Sequence, residues 1–218
     1  WEHTSDFVEQ RVNHFAKVFS EINADILFLQ EVASEEVLKR IIKKSGIDYL
    51  YFIAVPDNHG VGNAVIYKSK NCVCESVPAK GSLPVFFEGD EDTIGPRIWS
   101  RRDFIYLKTT YKGKSLYCVG IHIKANFAMP EKSSDGKEIE MNTNVLVSDG
   151  FIRSAFFRLS QARKVRQVVD NCFLGDEDAY VMVLGDFNSD NKNAIFRGIQ
   201  GNIKLLPDSL ISAFDTIS

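Results

Sequence analysis

The sequence has 218 residues, enough for one domain with a substantial core, and a single domain over 1–218 is expected. Its 44% hydrophobic and 25% charged residues exclude a disordered or fibrous chain. No apolar run approaches the ~20 residues needed to cross a bilayer, and no signal peptide is visible, so no membrane segment is expected. The net charge of −3 hides an asymmetry: residues 97–166 hold 14 Lys/Arg against 6 Asp/Glu, and the rest of the chain is acidic. A basic middle predicts one positively charged face suited to an anionic partner such as a phosphodiester, or simply a solvated surface.

In chain order, Val8, Val12, Phe15, Val18, Phe19 and Ile22 recur at helical spacing, and Asp6 with Glu9 fits a capping box, so a helix is predicted over 6–22. Ile26–Leu29 is a short apolar strand ending in Gln30-Glu31. Ser34 caps a second helix, Glu35–Ser45, and Gly46 stops it. Strands follow at Tyr49–Val55, Ala64–Tyr67 and Asn71–Val77. Pro78–Pro96, with the acidic run 88–92, reads as a surface excursion.

Asp103–Tyr111 and Ser115–His122 alternate well around Lys112-Gly113-Lys114 and predict a hairpin. Asn126–Gly150 is polar and reads as a long loop, and Phe151 to about Phe173 as the longest helix. Val181–Leu184 is a buried strand, a short helix lies near 193–198, and apolar pairs follow at Leu210-Ile211 and Ala213-Phe214. This order is not a strict βαβ series, and it predicts a mixed, largely antiparallel α/β system with helices on its outer faces. Cys72, Cys74, Cys118 and Cys172 lack zinc-site spacing and read as buried free thiols, although spacing alone does not exclude a disulfide.

Chemistry concentrates where strands end. Gly185 breaks the strand at 181–184, and Asp186 and Asn188, two apart, project together if the extended geometry persists. An acceptor-only carboxylate beside an amide can hold a water against a phosphate; equally, the pair can be an Asx-turn closing the strand. Glu31, Asn63 and His122 also lie at strand ends. Their convergence would make a site for metal-assisted phosphate-ester hydrolysis. Glu31 would hold a Mg²⁺ that keeps most of its waters, Asp186 would orient and deprotonate a water, and Asn188 and His122 would donate to phosphoryl or leaving oxygens. Taken singly, Glu31 reads as a solvated cap residue, His122 as a core-edge histidine, Arg101-Arg102 as a solvated strand start and Arg158 as a surface helix residue. His3, His14 and His59 read as structural.

Six motifs occur in order: Asp-Ile-Leu-Phe-Leu-Gln30-Glu31-Val, Gly-Asn63-Ala-Val-Ile-Tyr, Arg101-Arg102-Asp-Phe-Ile, Gly-Ile-His122-Ile-Lys124, Arg158-Leu-Ser-Gln161-Ala and Leu-Gly-Asp186-Phe-Asn188. Together they resemble the endonuclease/exonuclease/phosphatase superfamily, the DNase I-like fold, in its nuclease-like branch. The resemblance implies a four-layer α-β-β-α sandwich. It implies Glu31 as metal ligand, His122, Asp186 and Asn188 as catalytic residues, and Asn63, Arg101, Arg102, Lys124 and Arg158 as phosphate-binding residues. The implied cofactor is Mg²⁺, with Mn²⁺ or Ca²⁺ as alternatives.

Family members begin with a strand bearing a metal-binding Asn and end with Ser-Asp-His. This sequence runs from Trp1 to Ser218 without either, so the fold is expected to lack the usual first and last strands. The expected function is a Mg²⁺-dependent phosphodiester hydrolase acting on nucleic acid, DNA first. The alternatives are a phosphomonoesterase or phospholipid-headgroup hydrolase, and a non-catalytic nuclease-like binding module. Compartment and oligomeric state are not legible.

Overall fold

The computed structural model describes residues 5–57, 60–78, 103–131, 133–190 and 193–201. Their order is α1 (Ser5–Ile22), β1 (Ile26–Val32), α2 (Glu35–Ser45), β2 (Leu50–Ile53), β3 (Gly62–Tyr67), β4 (Val73–Val77), β5 (Phe104–Tyr111), β6 (Lys114–His122), α3 (Asn144–Gly175), β7 (Tyr180–Asp186) and α4 (Ala194–Gln200). The strands form two sheets. One is antiparallel in the order β1-β3-β2; the other is β4-β5-β6-β7, antiparallel except for the parallel β6–β7 pair. A parallel pair needs a crossover, and α3 supplies it.

The core falls into three slabs. Val12, Ala16 and Phe19 of α1 and Leu38 and Ile41 of α2 pack on Ala64 and Ile66 of β3. Val65 of β3 meets Ile105, Leu107 and Cys118 of the second sheet, with Phe28 and Leu184 against them. Ala162, Val165 and Val168 of α3 and Ile195 and Ile199 of α4 close on Phe104, Val119 and Ile121. Successive side chains of a strand alternate between faces, so each sheet feeds two of these slabs. The result is the expected α-β-β-α sandwich. The sheets approach closely at Gly120, where a side-chain methyl would sit 2.1 Å from the Phe28 ring.

Local signals acted as predicted for α2. Ser34 accepts from the Val37 N–H, and Gly46 takes the left-handed conformation at φ 72°. The hairpin joins β5 and β6 in register, with Tyr111 opposite Lys114. All four cysteines are free, and Cys118 and Cys172 are buried.

Two expectations change. The long helix begins at Asn144, not Phe151, because Thr143 caps it by accepting from the Leu146 N–H. Gly150, read as a loop glycine, lies inside this helix. A Cβ there would sit 2.8 Å from Met141 Sδ and 3.0 Å from Ala128 Cβ, so the preceding loop can cross the helix only at a glycine. The basic stretch also does not gather on one face among the described residues. Lys108, Lys112 and Lys114 lie over the rings of Tyr117, Tyr111 and Tyr180 around the hairpin end of the second sheet, whereas Lys124 and Arg158 belong to the opposite end. The excursion 79–96, the pairs at 210–211 and 213–214, and Arg101, Arg102, His3 and His59 lie outside the described residues.

Candidate active site

At one end of the sandwich the ends of β1, β6 and β7 meet the starts of β3 and β5. Val32 pairs with Gly62 across β1 and β3, and the Asn63 side chain reaches the Asp103 carbonyl at the start of β5. His122 and Asp186 are the last paired residues of β6 and β7. They share the alternation of Cys118 and Leu184, so both side chains face the space between the sheets. His122 Nε2 lies 3.8 Å from Asp186 Oδ2; the His122 side chain is 9% exposed and that of Asp186 52%.

Gly185 makes this closeness achievable. Its φ is +130°, and a methyl there would sit 2.0 Å from the Ile121 carbonyl oxygen and 3.1 Å from Gln30 Nε2. Only glycine lets β7 approach β6 so tightly, and the same point brings Gln30 at the end of β1 across to β7. The ladder runs one bond further, with the Ile123 N–H donating to the Asp186 carbonyl at 2.9 Å.

Of the two readings of Asp186 and Asn188, the Asx-turn is present. Asp186 Oδ1 accepts the Asn188 N–H at 2.8 Å, which is an Asx-turn. Oδ2 is directed towards His122. Asn188 is left-handed at φ 46°, and its Nδ2 donates to the Ile123 carbonyl at 2.9 Å. A side-chain amide carries two N–H groups, so this bond leaves Asn188 one more donor to offer.

Glu31 sits where the β1–β3 register slips between Leu29 and Val32, at φ 58°. A bulge adds a residue and redirects its side chain, and a left-handed glutamate costs about 1–2 kcal/mol that neighbouring structure must offset. The bulge exposes Glu31, while Gln30 beside it keeps the inward alternation of Ile26 and Phe28.

Among the described residues no three His, Cys, Asp or Glu side chains group into a metal cage. The chemistry on offer is instead that of hard-oxygen donors, the exposed carboxylates of Glu31 near the end of β1 and Asp186 at the end of β7. It fits a cation that keeps several waters and takes one or two carboxylates.

The remaining candidates have protein partners. Asn63, the second residue of β3, is 2% exposed; its Nδ2 donates to the Asp103 carbonyl at 2.8 Å, and its Oδ1 is buried without a partner among the described residues. Lys124 Nζ donates to the carbonyls of Ala125 and Phe127 and to Ser154 Oγ, at 2.9, 3.0 and 3.1 Å. Arg158, a surface helix residue when read alone and a phosphate-binding one by resemblance, is 4% exposed and donates to the Asn188 carbonyl at 2.6 Å and to Ser189 Oγ. Burial pulls its pKa down from the usual arginine value. Gln30, Gln161 and Ser189 carry site contacts that the sequence reading did not assign. For Gln161, its place three residues after Arg158 on one helix face was the available signal.

The model of the endonuclease/exonuclease/phosphatase family matches residues 4–216. The chain belongs to that family. No curated protein matches the sequence. Solved structures share the fold. Sphingomyelinase C from Streptomyces griseocarneus is 18% identical over 86% of this chain and 61% of its own, with a TM-score of 0.53. A mannosyl-6-phosphatase of Bacteroides thetaiotaomicron is 16% identical over 88% and 61%, with a TM-score of 0.51. D. rerio TDP2, complexed with a single strand DNA product, is 17% identical over 89% and 59%, with a TM-score of 0.50. The chain thus spans about three-fifths of the length of each of these structures.

Proposed function

We propose that this chain hydrolyses phosphodiesters, with DNA as substrate, by metal-assisted in-line attack of water. It is the His122–Asp186 pair at the ladder end, beside the bulged Glu31, that carries the reading. Asp186 orients the water through Oδ2 and takes its proton. Asn188 offers its second amide hydrogen to a phosphoryl oxygen, and His122 donates to an oxygen that gains charge as the bond breaks. Glu31 would hold Mg²⁺, or chemically similar Mn²⁺ or Ca²⁺, with Asp186 nearby. The bound cation supplies charge neutralisation at the phosphate.

The DNA product bound to the D. rerio relative supports DNA. One observation favours a second reading, a phospholipid-headgroup hydrolase: Phe127, three residues after Lys124, is 73% exposed, and Val145 and Ile152 of α3 are 69% and 52% exposed. Exposed apolar side chains near Lys124 are what contact with a lipid surface would use.

The full chain with Mg²⁺ is expected to cut plasmid or oligonucleotide DNA and to stop in EDTA or on Asp186→Asn. Hydrolysis of sphingomyelin, a phosphoinositide or a sugar phosphate with intact DNA would move the site to the second class or to a phosphomonoesterase. Tight DNA binding without turnover, unchanged by Asp186→Asn and Glu31→Gln, would make it a binding module.

A further inference from the structure

Ser154, Arg158 and Gln161 lie at i, i+4 and i+7 of α3 and form one polar stripe, 0%, 4% and 2% exposed. Burying three polar side chains under a sheet is unfavourable unless each is used. Here each is used on one of the two segments that follow β6 and β7. Gln161 Oε1 accepts the Lys124 N–H at 3.0 Å, and Ser154 Oγ accepts from Lys124 Nζ. Arg158 holds the Asn188 carbonyl and Ser189 Oγ. Asn188 Nδ2 joins the two segments through the Ile123 carbonyl. One helix face thus grips the residue two after His122 and the residue two after Asp186.

We propose that Arg158 and Gln161 are positioning residues: from behind the sheet they fix the relative placement of His122 and the Asp186–Asn188 turn, and Arg158 does not bind the phosphate. This rests on the reading of His122, Asp186 and Asn188 as the reacting set. The physical need is clear at Asn188, a non-glycine residue at φ 46° that the surroundings must hold. The guanidinium is 4% exposed and its Nη2 is committed to the Asn188 carbonyl and Ser189 Oγ, so its charge is held against the turn from behind the sheet. A misplacement of about 1 Å at a reacting group costs roughly 100-fold in rate.

The test measures bis(p-nitrophenyl) phosphate turnover with Mg²⁺ for full-chain Arg158→Lys, Gln161→Leu and the milder Ser189→Ala. Amide hydrogen exchange is followed by NMR in the same proteins. Positioning predicts kcat falling at least about 30-fold in Arg158→Lys and about 3- to 10-fold in Ser189→Ala, with KM within threefold. Exchange should accelerate at least about tenfold at the Asn188 amide in Arg158→Lys and at the Lys124 amide in Gln161→Leu, while Val119 in the core stays unchanged. A rise in KM with kcat preserved would make Arg158 a phosphate ligand and overturn the proposal. If the wild-type chain turns over no phosphoester, the reaction reading fails. The exchange data then decide alone, and uniform or absent acceleration overturns positioning.

Discussion

His122 and Asp186 form the last rung of the parallel β6–β7 ladder, with Nε2 3.8 Å from Oδ2. That is beyond a hydrogen bond, yet two groups so spaced can each reach one third atom held between them. The pair also has a structural part, since Oδ1 of the same carboxylate closes the Asx-turn.

Asp186→Asn separates these roles. The amide oxygen can still accept the Asn188 N–H, so the turn and the melting temperature should persist. On the proposed role of Asp186 as the base, kcat should fall by about 10²–10⁴-fold. Steady-state kinetics beside a thermal melt checks both outcomes.

Gly185→Ala should be severe. The methyl meets the Ile121 carbonyl at 2.0 Å in a backbone conformation that alanine resists. A loss of about 3 kcal/mol or more in urea unfolding is expected, with activity lost in whatever remains folded.

Gly120→Ala should also destabilise, by about 1–3 kcal/mol, because the methyl enters the Phe28 ring between the sheets. Phe28→Leu clears that space, so the double variant should be more stable than the sum of the single losses implies. A double-mutant cycle measured by urea unfolding gives the coupling.

Glu31→Gly should uncouple stability from function. Glycine accepts φ 58° readily, so stability should rise by about 0.5–1 kcal/mol, while Mg²⁺-dependent activity should be lost with the carboxylate. Unfolding curves and a Mg²⁺ titration of turnover test the two halves separately.

Alkaline pH should unfold the protein through its thiols. Burial pushes Cys74 and Cys172 up to about 11 and Cys118 to about 12, from an ordinary 9.0. The unfolded chain therefore releases these protons first, and binds fewer than the folded chain above pH 9. Stability conferred by the neutral thiols is complete below about 9 and is lost as pH rises towards 12. Urea midpoints at pH 7.5 and pH 10 should fall accordingly, less so in Cys118→Ala once its own cavity cost is subtracted.

The legible parts of this molecule are those that local chemistry decides. Ser34 and Gly46 bracket α2 because a cap and a left-handed stop act within a few residues. Lys112-Gly113 turns the hairpin for the same reason. The Asn144–Gly150 turns of α3 were hidden because Gly150 is there for a tertiary contact with Met141 and Ala128, and its local preference is against a helix. The bulge at Glu31 depends on pairing with β3, and the burial of Arg158 depends on the loop after β7; neither partner is near in sequence. The ordered motifs pointed to the strand ends that converge, yet not to which side chains already have partners there.

The parallel pairing of β6 with β7 carries a kinetic consequence. His122 and Asp186 become neighbours only after the whole of α3 has been made and laid across the sheet. The β5–β6 hairpin can close early because its contacts are local, whereas the His122–Asp186 rung is a long-range contact that bears a large loop-closure entropy. The His122–Asp186 rung should therefore be among the last features to assemble on the folding path. A nascent chain that has not yet extended past Asp186 has His122 without its neighbour, so this strand end and the completed fold arrive together.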